Sequence, residues 1–228
     1  MKLMRATAVV GWLFFFAGLA AQAQNLDAVL SSMDRAAANF KTVQTDFVAD
    51  MYQKVVDEHD YQKGTMYFRK QEDSIEMAAD ITEPDKKYVL FSNGIVSYFQ
   101  PSIDQVTEYN AGKNKAEVES YLVLGFGGGG HALTESYNVQ YAGMEGVQGV
   151  NAAKLILTPK SQRVRNMFQT ITLWIDTARG VPVQQRFDEP SGDYRITKYS
   201  NTLINHKLPG DAFRLRTNGH TKYVKPNV

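Results

Sequence analysis

The run Gly125-Phe126-Gly127-Gly128-Gly129-Gly130 satisfies the G-x-G-x-x-G spacing by which glycines let a backbone approach a pyrophosphate. That chemistry also needs a parallel strand before the loop and a helix opening on it, within repeated strand–helix units. Neither surrounds this run, so its glycines read as conformational. Asp57-Glu58-His59-Asp60 gathers carboxylates and an imidazole, a set able to hold a cation. Its position between two alternating segments makes it a solvated hairpin turn instead. His59, His131, His206 and His220 are scattered and lack the spacing of a metal site. His131, directly after the glycines, reads as a surface or cap residue. No G-x-S-x-G, H-E-x-x-H or EF-hand loop occurs. The expectation is therefore no catalytic residue, no metal and no cofactor.

The elements that position these residues begin with an export signal. Lys2 and Arg5 precede an apolar run from Ala6 to Ala21, and Ala21-Gln22-Ala23 is a small-x-small cleavage triplet. Residues 1–23 read as a signal peptide and 24–228 as one domain. Without Lys2 and Arg5, the 25 basic residues fall to 23 against 24 acidic ones. A chain so close to neutral has no electrostatic footprint for nucleic acid. The absence of cysteine excludes both disulfides and an N-terminal lipid anchor on cysteine. A soluble periplasmic monomer is the expectation.

Leu26, Val29, Leu30, Met33, Ala37 and Phe40 recur at spacings of three and four, which predicts an amphipathic helix over 25–40. The period then changes to two. Val43, Thr45, Phe47, Ala49, Met51, Gln53 and Val55 alternate with more polar neighbours, giving a strand long enough to require curvature. Alternation returns over 61–70, 75–81, 88–91, 95–100, 105–109, 137–142, 152–158, 168–176, 182–187 and 194–200. Asn93-Gly94 marks a tight hairpin among them. About eleven strands joined by short turns predict an antiparallel meander. One helical excursion, Lys115–Leu124 capped by Asn114, interrupts it. The fold class is α+β, mainly antiparallel β: a strongly curved, incomplete and unclosed β-barrel with an α-helical lid over an apolar cavity.

The residues also resemble the LolA family of periplasmic outer-membrane lipoprotein carriers. The resemblance lies in the leading helix, the long strand around Asp46-Phe47 and Gly64-x-x-x-x-Arg69. Asn93-Gly94 with Tyr98-Phe99, Pro101-x-x-x-Gln105, Leu157-Thr158-Pro159-Lys160 and Ile171 to Asp176 extend it over nearly the whole mature chain. It implies an open barrel whose cavity holds acyl chains, with an inner-membrane release transporter and an outer-membrane acceptor as partners. The family carries an Arg-Pro pair whose arginine latches the lid. Here Lys70-Gln71 stands in its place with Arg69 one residue earlier, and one residue of register reverses the face.

Burying about fifteen methylenes is favourable by ~12 kcal/mol, and a membrane offers the same gain. A carrier cavity must therefore be adaptable rather than tight. Met51, Met66 and Met77 on successive strands supply deformable surface. Phe47, Phe68, Ile81, Leu90, Leu155, Leu157 and Leu173 complete the expected cavity lining. Val118, Tyr121, Leu122 and Phe126 form the lid face, with Gly127, Gly128, Gly129 and Gly130 as its hinge. Arg69 and Lys70 are the latch candidates. The cargo expected is acylated lipoprotein. Free lipids such as a glycolipid or terpenoid are the alternative, and a lipid-sensing envelope-stress regulator ranks behind both.

Overall fold

The computed structural model describes residues 25–226 apart from residue 73, so the signal-peptide segment lies outside the described residues. The first helix, α1, covers residues 25–38. Its buried stripe of Val29, Leu30 and Met33 follows the three-and-four spacing. β1 (Thr42–Gln53) and β2 (Glu58–Gln71) then form a long hairpin. Its turn is 54–57, so Glu58, His59 and Asp60 belong to β2 rather than to the turn.

The meander continues through β3 (Ser74–Glu83), β4 (Lys87–Ser92), β5 (Ile95–Gln100) and β6 (Gln105–Asn110). Asn93 and Gly94 both take positive φ, 52° and 78°, as the β4–β5 turn requires. Helices α2 (Lys115–Leu122) and α3 (Gly130–Ser136) follow. The chain returns through β7 (Tyr137–Val147), β8 (Val150–Pro159), the short helix α4 (Gln162–Met167), β9 (Thr170–Asp176), β10 (Val181–Asp188) and β11 (Tyr194–Ile204).

β11 pairs with β1 and joins the two halves of the meander. The result is one sheet in the order β6-β5-β4-β3-β2-β1-β11-β10-β9-β8-β7, extended at the β6 edge by β12 (Lys222–Val224). Among the described residues there are thus twelve strands rather than about eleven, and the added β12 runs parallel to β6. The edges β12 and β7 do not meet, so the barrel is open.

Register shifts between β1 and β11, β2 and β3, β7 and β8, and β9 and β10 supply the curl, because the extra residue, on β11, β3, β7 and β10 respectively, bends and twists its strand. At the shift between β2 and β3, a Cβ on Gly64 would overlap the carbonyl oxygen of Asp80, so only glycine allows this approach. The segment after β11 crosses the convex face. Leu215 packs on Tyr88, Phe99 and Val106, and Arg216 donates to the Tyr88 hydroxyl at 3.0 Å. Among the described residues no helix is long and apolar enough to cross a membrane.

Candidate functional site

The concave face divides into two apolar regions with different covers. Under α1, Val29, Leu30 and Met33 pack on Leu155, Leu157, Ile171, Leu173 and Phe187 of β8, β9 and β10. These sheet residues are almost wholly removed from water. The second region spans β1–β4 and β11, with Val43, Phe47, Phe68, Met77, Ile81, Phe91 and Tyr199 as its floor. No long helix covers it. Its cover is Val118 and Leu122 of α2 together with Val123 and Phe126 just beyond the helix.

The expected lid is therefore present, but its centre has moved. No residue of α2 is fully buried, whereas Val123, Leu124 and Phe126 in the following turn all are. Phe126 stacks on Phe68 with centroids 4.4 Å apart and meets Tyr199 edge-on at 5.0 Å. Tyr121 leans the other way, edge-on to Phe168 and toward the region under α1. The concave face is thus filled by the lid's own side chains. The cavity between α2, α3 and α4, of about 300 Å³, is lined by Glu117, Ser120, Tyr137, Ser161 and Val164 and is partly polar.

Three polar fastenings hold the lid. The Ile75 backbone N–H donates to Glu119 at 2.9 Å. Glu117 accepts from the Ser161 hydroxyl and pairs with Arg163 at 3.4 Å. The third is buried: the Tyr199 hydroxyl donates to Gln185 at 2.9 Å, and the Gln185 amide donates to the Leu124 carbonyl. Burial pushes the Tyr199 phenol well above its ordinary pKa, with Arg195 opposing, so it stays a neutral donor. A polar bond inside an apolar region is strong while made and costly when broken.

Phe47, Phe68, Met77 and Ile81 come together under the lid, with Met66 packed at their margin. Met51 shares their face but lies toward the hairpin end, half-buried and outside the cluster. Leu155, Leu157 and Leu173 face inward but are sealed under α1, away from the lid. Leu90 is a correction. It pairs with Ala78 on the opposite face from Met77 and Phe91 and lines a convex-side pocket with Tyr67, Tyr88 and Leu215.

The latch expectation is corrected as well. Arg69 points to the convex face, where it pairs with Glu76 and lies 4.2 Å from the Phe213 ring. Lys70 is exposed and forms no ion pair among the described residues. Gln185 and Tyr199, which the sequence reading missed, hold the lid instead.

The glycine run is closely packed rather than free. A Cβ on Gly130 would overlap the Leu30 backbone, one on Gly127 would meet Phe40 at 2.6 Å, and one on Gly129 would lie 2.8 Å from the Asp34 carboxylate. Only at Gly128 does added volume meet nothing within 4 Å. Beside the run, His131 bonds to Asp34 and, at 3.2 Å, to Asp27, which ties α3 to α1. Of the surface or cap role expected of it, the structure shows a half-exposed side chain and no cap on α3.

This arrangement, an open curved sheet with helices over its concave face, recurs in solved structures. The fold is a shared one. An uncharacterized conserved protein from Thermus thermophilus is 10% identical, with 87% of this chain and 97% of that one superposed at a TM-score of 0.54. A chain of the Pseudomonas aeruginosa MucA/MucB complex is 15% identical over 84% of this chain and 61% of its own, at 0.50. A LolA superfamily protein from Nitrosomonas europaea is 16% identical over 83% and 97%, at 0.42. At such identities the fold is what is shared. The sequence matches no family model and no curated protein.

Proposed function

We propose that this LolA-like chain is a periplasmic carrier whose concave sheet takes up acyl chains when the lid turn withdraws. The observation that carries the reading is the unequal covering of the concave face. One apolar region is sealed by α1, while the other is stoppered by a short turn, Val123–Phe126, held through one buried side chain. A protein built only for stability has no need of a separately fastened plug. Displacing Phe126 would free a floor of Phe47, Phe68, Met77 and Phe91, and half-buried Met66 gives that floor adaptable margins.

The cargo we assign is the acyl portion of lipoproteins in transit between membranes, in keeping with the resemblance of the sequence to LolA. A transporter that loads the carrier and an acceptor that unloads it belong to this reading. Carriage makes and breaks no bond, and no chemical step is assigned. Native mass spectrometry of the protein isolated from its own host's periplasm tests the proposal. Triacylated polypeptides riding on the protein support the lipoprotein shuttle. A single free lipid moves the assignment to a small-lipid carrier, and an empty protein from lipid-replete cells counts against carriage.

A further inference from the structure

Gln185 carries a primary amide into the concave face, where the side chain is only 5% exposed. Its ladder partners are Leu173 on β9, sealed under α1, and Thr197 on β11. Two residues further along β11 stands Tyr199, in the lid-covered region. Gln185 therefore lies where the two apolar regions meet, beneath the lid turn. What its amide touches fixes the direction of the amide. The Leu124 carbonyl can only accept, so the end that meets it is the nitrogen. The other end is then the oxygen, which accepts from the Tyr199 hydroxyl at 2.9 Å.

The two bonds differ in what lid opening does to them. Tyr199 and Gln185 both belong to the sheet, on the adjacent strands β11 and β10, so their bond is kept. Leu124 belongs to the turn and leaves with it. Its departure strands an N–H donor on the sheet, aimed into the space that the turn vacates. A buried donor without an acceptor is costly, and an acyl chain filling that space keeps water away from it. The occupant of the opened face must therefore bring an acceptor of its own.

The turn itself has the pattern such an occupant needs. It presents a carbonyl to Gln185 and, two residues on, an apolar ring to Phe68 and Tyr199. Two residues of chain span at most about 7 Å, so both contacts lie within reach of one small group and the chain it carries. An ester- or amide-linked acyl chain has the same order of groups: a neutral carbonyl at its root and hydrocarbon beyond. The chains of a triacylated polypeptide are joined in this way. We propose that Gln185 is a cargo-binding residue, whose amide N–H passes from the Leu124 carbonyl to the ester or amide carbonyl at the root of the acyl chain. Lid and cargo then compete for one donor, and the plug is an internal stand-in for the cargo. This rests on the carrier reading and deepens it by naming the linkage that the site recognises.

The test compares glyceryl monolaurate with dodecyl glyceryl ether on the full-length mature protein, by titration below the concentrations at which either forms micelles. The two share a neutral glycerol head and a chain of the same length, and only the first has a carbonyl. Wild type should bind the ester roughly tenfold more tightly than the ether. Gln185→Leu should bind the two equally. The infrared carbonyl band of the bound ester, lowered by a hydrogen bond in wild type, should rise in that variant. The comparison within wild type stands even if the variant folds poorly. Equal affinity of wild type for ester and ether overturns the carbonyl contact and leaves carriage intact. An ester preference that survives in Gln185→Leu places the donor elsewhere and overturns the role of Gln185. Binding of neither lipid overturns carriage, and the inference with it.

Discussion

The ring of Phe126 lies nearly flat on that of Phe68, with 18° between their planes, and both side chains are almost wholly buried. One ring belongs to the sheet and the other to the turn after α2, so this contact marks where the plug meets the floor. Phe126→Ala deletes the plug without altering the sheet. Truncating a buried phenylalanine costs about 3–5 kcal/mol when the cavity stays empty. The expected result is a lower melting temperature together with several-fold stronger binding of an apolar fluorescent probe, which restores part of the lost stability. Destabilisation without added probe binding would show Phe126 to be ordinary core.

The bond from Gln185 to the Leu124 carbonyl gives a second handle on the same turn. Gln185→Leu keeps the volume but leaves that carbonyl and the Tyr199 hydroxyl without this partner, at a cost of about 1–3 kcal/mol for a buried group. The loss should concentrate in the lid: amides of 119–127 should exchange faster with solvent while those of β8 and β9 hold. Arg69→Gln, on the convex face, should leave the lid amides unchanged. Faster lid exchange in Arg69→Gln and none in Gln185→Leu would reverse the assignment of the latch.

Much of this architecture is legible in the sequence because a period of two is hard to disguise. Alternation alone puts Phe47 with Met51, Met66 with Phe68, and Met77 with Ile81 on one face of β1, β2 and β3 in turn, and strand pairing then joins those faces. β4 shows where the signal fails: Tyr88, Val89, Leu90 and Phe91 are apolar on both faces, since the C-terminal segment covers the convex side. Period cannot give direction there, and an inward Leu90 is the error that results. β12, with three residues, and α4, with six, are too short to establish a period. Gln185 does leave a trace, as a polar residue at an inward position beside Phe187. Its meaning depends on the Leu124 carbonyl, 61 residues away in sequence.

The packed glycines change how a hinge must be tested. Gly130→Ala forces a Cβ into the Leu30 backbone and should destabilise α3 against α1 whether or not the loop moves. Gly128→Ala meets open space, and its φ lies outside the positive range. It stiffens the chain and should change stability by less than about 1 kcal/mol. Slower lipid uptake in Gly128→Ala at unchanged melting temperature is the outcome expected of a hinge. Unchanged uptake would assign the run to packing alone.

The tie between α3 and α1 should depend on pH. Bonds from Asp34 and then Asp27 raise the His131 pKa above its ordinary value of 6.5. For Asp34, burial acts upward, but the bonds from His131 outweigh it and hold the carboxyl below 3.8. A raised histidine contributes stability below its unfolded pKa and loses it as pH climbs through the folded one. A depressed carboxyl contributes above its unfolded pKa and loses it on acidification. The tie is therefore fully made between 3.8 and 6.5 and weakens on either side. The pair is open to water, so its effect should be small beside that of Phe126 and should shrink with added salt. The melting-temperature difference between wild type and His131→Gln, followed from acid to alkaline pH, should peak inside that window. A difference that does not vary with pH would mean that the imidazole acts through neutral hydrogen bonds to Asp34 and Asp27 and not through its charge, since the backbone N–H that Asp34 accepts at 3.1 Å is kept in the variant.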